Sequence, residues 1–181
     1  MALKSTIFKI DLQIADLDRN YFQTHALTIA RHPSETDERM MMRVIGFALH
    51  ANAALIFGKG LSAEDEPDLW QKDLTGAIEY WIEVGLPDER KIRRACGRSN
   101  RVLALTYGGR GADLWWQQNQ SLLMRQDNLA VLNIAQEDSK LLAARAARNM
   151  SIQCTVQERE LWLNIAGEAL HIVPLPLKLP N

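Results

Sequence analysis

The sequence predicts an α/β fold, a mixed β-sheet flanked by helices. Two observations predict it. Strict alternation of apolar and polar residues marks strands near both ends of the chain, and the stretch between them switches repeatedly from apolar runs to helix punctuation, the rhythm of βαβ units. With 181 residues, 47% hydrophobic and 24% charged, the chain is long enough for one substantial core and is expected to fold as a single domain over 1–181.

At the start, Phe8, Ile10, Leu12 and Ile14 alternate with Lys9, Asp11 and Gln13, a strand with one buried face. "ADLDRN" reads as a turn and Tyr21 to Ala30 as the return strand, a hairpin over about 5–30. A helix is expected next, with Pro33 ahead of a Ser34 N-cap, Glu35, Asp37 and Glu38 in its first turn, and Gly58 as its stop. Its core face is read as Met41, Val44, Ile45, Ala48, Leu49, Asn52 and Leu55, with Arg39, Arg43 and His50 at the margins; the three consecutive methionines are core filler. After the acidic loop "SAEDEPDLW" come strand runs around Leu69 and from Ala77 to Gly85, then a helix started by Pro87 and Asp88. Strand 101–107, a "GGRG" turn, a helix bearing "DLWWQQNQ", strand 128–135 and a helix from near Asp138 follow. "SIQCTVQ" and "LWLNIA" make a second hairpin over about 150–166, and "VPLPLKLP" is too proline-rich for a regular element, so it is read as a surface tail.

A net charge of −1 argues against a protein whose whole surface holds nucleic acid or anionic membrane, leaving room for a local basic patch. Cys96 and Cys154 show no CxxC or secreted-type spacing, so reduced thiols and a cytoplasmic location are expected. The N-terminus reaches acids too soon for a signal peptide, and no run approaches the roughly 18 apolar residues of a membrane span, so no membrane association is expected.

In the strand 77–84, Ile78, Tyr80, Ile82 and Val84 share one face and Glu79, Trp81 and Glu83 the other. Glu83 therefore stands either at an exposed strand end or in a cleft with partners, because an unpaired buried carboxylate is expensive. If the strands around 69 and 77–84 pair as a hairpin, Asp68 meets Glu83 at its open end, and the basic helix carrying Arg90, Lys91, Arg93 and Arg94 begins immediately after. Two carboxylates that can hold Mg²⁺ or Mn²⁺, beside a cation that stabilises phosphate charge, are what phosphodiester hydrolysis needs. The competing reading is a solvated acidic loop next to a solvated basic helix.

"ARHPSETDERMM", "DEPDLW", "WIEVGLPDER", "RKIRRACG" and "WWQQNQ", in this order, resemble the YaeQ family of bacterial proteins over essentially the whole chain. That family is regarded as related to the PD-(D/E)XK nucleases, whose core runs helix, three strands, helix, strand; the elements read from about 34 to 107 follow this order. The resemblance implies that Pro67 and Asp68 are the "PD" and Glu83 the acid of "(D/E)XK", with Asp68 and Glu83 as metal ligands. Gly85 stands where the motif lysine belongs, and Lys91 or Arg90 from the next helix can project into the same space. Two functions are thus expected: a metal-dependent nuclease-like hydrolase, or an inactive nuclease-fold module that binds nucleic acid or a protein partner in a regulatory role.

Other candidates carry less. Glu38 is a first-turn helix residue that nuclease relatives sometimes use as a third acid, and Arg31 and Arg43 are phosphate contacts or ordinary ion pairs. The four histidines lack zinc spacing, "YGGRG" lacks the phosphate-loop lysine, and Cys96 sits beside Ile92 and Ala95 as a packing residue. Trp115 and Trp116 cannot face the same way on a helix; one buries and the other covers neighbouring surface or a partner.

Overall fold

The computed structural model describes residues 3–181. In chain order the elements are β1 (Thr6–Asp16), β2 (Tyr21–Arg31), α1 (Asp37–His50), β3 (Leu55–Phe57), a 3-10 turn (Gly60–Ser62), β4 (Leu69–Lys72), β5 (Ile78–Val84) and α2 (Glu89–Arg98). They continue as β6 (Ser99–Thr106), α3 (Arg110–Leu123), β7 (Leu129–Asn133), α4 (Gln136–Ala143), β8 (Asn149–Gln157), β9 (Glu160–Ile165), β10 (Glu168–Ile172) and β11 (Leu175–Lys178). The chain forms two compact units, one from residues up to Ala51 together with Glu137–Pro174, the other from Asn52–Gln136 together with Leu175–Asn181.

In the first unit a five-stranded sheet runs in the order β10-β9-β8-β1-β2. The two expected hairpins, β1–β2 and β8–β9, are both present, and they pair with each other through parallel β1 and β8. The result is a separate mixed sheet rather than two extensions of a single one. Phe8, Ile10, Leu12 and Ile14 are buried as the alternation predicts, and Asp16, also buried, fixes the hairpin turn by accepting from the Arg19 backbone N–H at 3.0 Å and Nε at 2.6 Å. α1 lies along β2, where the His25 ring meets Phe47 edge-on at 5.0 Å.

Helix α1 corrects the sequence reading at both ends. Its N-cap is Thr36, whose hydroxyl accepts from the Arg39 N–H at 3.1 Å, and not Ser34. It stops at His50, not Gly58, because Asn52 turns the chain, its Oδ1 accepting from the Ala54 N–H at 2.8 Å, and Leu55–Phe57 leaves as a strand. Gly58 serves close approach instead: a Cβ there would stand 2.1 Å from the Pro67 carbonyl oxygen. Met40 through Ala48 are all buried, so the helix is enclosed all round rather than on one stripe, and Arg43, expected at the margin, is buried with it. Arg43 grips Glu35 through Nε at 2.8 Å and Nη2 at 2.7 Å, and Arg39 adds a third contact at 2.9 Å. Removing one member of such a pair strands the other charge; Glu35→Ala is expected to lower unfolding free energy by about 3 kcal/mol, measured by urea denaturation.

The second unit holds a six-stranded sheet in the order β11-β7-β6-β5-β4-β3, with β5, β6 and β7 parallel and β3, β4 and β11 antiparallel to their neighbours. Helices α2 and α3 make the two right-sized crossovers of this parallel centre. They cover one face, where Trp81, Ile92, Ala95, Val102, Ala104, Trp115, Leu123, Leu129 and Val131 form one apolar cluster. The proline-rich stretch read as a surface tail is β11, an edge strand on β7. Pro176 is tolerated at an edge, beside a register shift, and buried Lys178 donates to the Leu129 carbonyl at 3.2 Å.

Candidate functional site

The site grows out of the β4–β5 hairpin. Antiparallel pairing sets Leu69 opposite Ile82, and the ladder continues one residue outward with the Asp68 N–H donating to the Ile82 carbonyl at 3.1 Å. This places Asp68 at the carboxyl end of β5, where its Oδ2 accepts from the Val84 N–H at 2.7 Å. The 3-10 turn at Gly60 closes over the same carboxylate: a Cβ on Gly60 would lie 2.9 Å from Asp68 Oδ1, and φ of +52° is itself a glycine conformation. Asp68 is 1% exposed.

Glu83 points to the opposite face from Ile82 and Val84, the face that α2 and α3 cover. The sequence left that face open between exposed and enclosed; the structure encloses it, and Glu83 is 2% exposed. Its oxygens have separate partners. Trp81, two residues earlier on the same strand face, donates Nε1–H to Oε1 at 2.7 Å, and Lys91 Nζ lies 2.9 Å from Oε2. Burial raises the Glu83 carboxyl above its ordinary range, the Asp68 charge raises it further, and Lys91 and the Trp81 hydrogen bond pull the other way. Asp68 acts on Glu83 because the hairpin register brings it alongside the end of β5.

Lys91 reaches this place because of where α2 starts. Asp88 caps the helix, accepting from the Lys91 N–H at 2.8 Å, and the Pro87 carbonyl just before it is held by Trp115 Nε1–H at 2.8 Å. That phase turns Lys91, whose side chain is 28% exposed, toward Glu83 and leaves Arg90 on the exposed side. Arg94 and Arg93 are engaged elsewhere, with Asp65 at 3.0 Å and Glu89 at 3.5 Å.

Gly85 has φ of +108° as the chain leaves β5, and its N–H donates to the Leu105 carbonyl at 2.9 Å. A Cβ there would meet nothing within 4 Å, so backbone conformation, not space, selects glycine. A lysine at this position would be strained; Gly85→Lys is expected to lower stability by about 1–3 kcal/mol and to leave a Lys91→Ala variant unrescued, checked by thermal melts of both variants.

The remaining sequence candidates fall elsewhere. Arg31 pairs with Asp37, Arg43 with Glu35, and Glu38 Oε1 accepts from the Ser139 hydroxyl at 2.6 Å. "GGRG" is a tight turn pressed on Gln136, where a Cβ on Gly109 would lie 2.7 Å from Oε1. Burial pushes the Cys96 thiol up to about 11 and the Cys154 thiol up to about 12, which keeps both protonated and inert. Trp115 is buried and Trp116 packs against the same apolar cluster. Among the described residues no group of three or more His, Cys, Asp or Glu could hold a metal, and no helix is long and apolar enough to cross a membrane. The residue that sequence reasoning missed is Trp81, and its signal was present: an indole donor two positions from Glu83 on one strand face.

The family model described as "YaeQ protein" matches residues 1–174. A protein of Escherichia coli K12 named "Uncharacterized protein YaeQ" is 46% identical over 164 residues, 91% of each chain, and one of Salmonella typhi with the same name is 46% identical over 172 residues, 95% of each. The crystal structure of YaeQ protein from Xanthomonas axonopodis pv. citri superposes with a TM-score of 0.94 at 39% identity, covering 97% of this chain and 99% of that one. That of YaeQ protein from Pseudomonas syringae gives 0.92 at 32% identity, covering 96% of each.

Proposed function

The chain belongs to the YaeQ family, and on that premise we propose that it is a divalent-metal-dependent, nuclease-like phosphodiester hydrolase acting through Asp68, Glu83 and Lys91. The observation that carries the reading is the Lys91 ammonium 2.9 Å from Glu83. It supplies from α2 the cation that Gly85 denies to the strand. The chain order α1, β3, β4, β5, α2, β6, with β5 and β6 parallel, is also the order of a PD-(D/E)XK core.

The donor set fits Mg²⁺ or Mn²⁺. Two carboxylates offer hard oxygen ligands of the kind Mg²⁺ and Mn²⁺ take. When bound, such an ion lowers the pKa of a coordinated water and polarises the phosphoryl group. The chain's own residues do the rest. The Val84 N–H fixes the Asp68 carboxylate and the Trp81 indole fixes one oxygen of Glu83, so both ligands are oriented before a substrate arrives. Lys91, held 2.9 Å from Glu83 Oε2, would stabilise charge on the phosphoryl oxygens, and Asp68 and Glu83 would hold the ion.

The test is cleavage of single- and double-stranded DNA and RNA with Mg²⁺ or Mn²⁺ against an EDTA control. Metal-dependent cleavage of at least one substrate is expected, and no cleavage of any would overturn the hydrolase. The second reading, an inactive module, is favoured by the Lys91–Glu83 pair already neutralising one carboxylate, with Arg90 and Arg98 exposed on α2 as contacts. Its mark is salt-dependent nucleic-acid binding without cleavage.

A further inference from the structure

The two sheets have four edge strands, and three are protected against pairing with another chain. β3 has three residues; β11 carries Pro176 and a register shift between Pro176 and Lys178; β10 has five residues, opens on Glu168 and is followed by Pro174. β2 has none of these devices. It is eleven residues long, pairs with β1 from Thr6–Arg31 to Asp16–Tyr21 without a bulge, and from Phe22 to Ala30 contains no proline, acid, lysine or arginine. On its other side no strand pairs with it among the described residues, and Phe22, Thr24, Ala26 and Thr28 on its outward face are exposed.

We propose that β2 is an interface at which a second copy of this chain adds its own β2, antiparallel about a two-fold axis through Ala26, making one continuous ten-stranded sheet. The strand complements itself. A two-fold at its midpoint sets Thr24 opposite Thr28 and Phe22 opposite Ala30 on the outward face, and His25 opposite Leu27 on the inward face. No like charges face each other in that register, whereas a register centred on His25 would oppose the imidazole to itself. At the ends Arg31 comes opposite Tyr21, with its charge already balanced by Asp37. The Ala30 carbonyl accepts from Arg43 Nη2 at 3.1 Å, so the stretch open to a new symmetric ladder is Gln23 to Ile29. Half-buried Leu27 gains cover from His25 of the second copy.

The experiment is the mass of the full chain in solution by light scattering across a concentration series, for wild type and Ala26→Lys, which sets two ammonium groups against each other at the axis. Wild type is expected at twice the chain mass and Ala26→Lys at half that, with unchanged far-ultraviolet circular dichroism. Crosslinking through one introduced cysteine, in a chain with Cys96 and Cys154 replaced by serine, fixes the register even if the lysine variant folds poorly. Ala26→Cys is expected to form a disulfide dimer and Thr28→Cys alone is not, whereas a mixture of Thr24→Cys and Thr28→Cys chains crosslinks. A wild type that stays monomeric at the highest soluble concentration, or a dimer unchanged by Ala26→Lys that does not crosslink at position 26, overturns the proposal.

Discussion

Asp68→Asn and Glu83→Gln are each expected to lower metal-dependent cleavage by at least roughly 100-fold while leaving the chain folded, because changes one shell out from a metal already cost about 10–100-fold. Each substitution keeps one hydrogen bond that holds the site together, while Glu83→Gln gives up the ion pair with Lys91. An amide oxygen at 68 still accepts from the Val84 N–H, and one at 83 still accepts from Trp81 Nε1–H. What disappears is the negative charge a metal needs. The alanine variants differ, since each leaves a buried N–H without its partner, an added loss of about 1–3 kcal/mol. Cleavage rates and thermal melts measured on the same preparations separate the two effects. Full cleavage by either amide variant would place the chemistry elsewhere.

Lys91→Ala is expected to lose about 2 kcal/mol of stability at neutral pH in metal-free buffer. A fully buried ion pair broken on one side loses about 3–5 kcal/mol, and Lys91, partly exposed, is screened by water. The loss depends on pH in a definite direction. Glu83 has a folded pKa above its ordinary 4.5, so its contribution to stability is fully present below 4.5 and is lost as pH rises through the raised folded value. Lys91 opposes that rise. Without it the folded value climbs further and the loss deepens, so the gap between wild type and Lys91→Ala is small in acid and widens toward neutral pH. Lys91→Arg, which retains the charge, narrows the gap. Urea denaturation in EDTA at acid and neutral pH measures it, and a gap independent of pH would contradict the ion pair.

The convergence of Asp68 and Glu83 was legible because it follows from hairpin register, and register follows from alternation. The choice between Lys91 and Arg90 was not. Adjacent helix positions differ by about 100° in direction, and the start of α2, set by the Asp88 cap and the Trp115 hold on Pro87, decides which of them turns inward. Glu83 was undecided because a strand buried on both faces has no alternation to show which face is wet. The end of α1 was misread because Leu49, Asn52 and Leu55 keep helical spacing through a turn made by one asparagine side chain. β11 was missed because proline argues against a strand in general but not at an edge. The parallel pairing of β1 with β8 joins segments more than a hundred residues apart, and no local pattern encodes it.

The most direct test of the site is Mn²⁺ binding followed by electron paramagnetic resonance, comparing wild type with Asp68→Asn and Glu83→Gln. A metal held by these two carboxylates predicts saturable binding to wild type and its loss in both variants. Equal binding by all three proteins, or none by wild type, would contradict it.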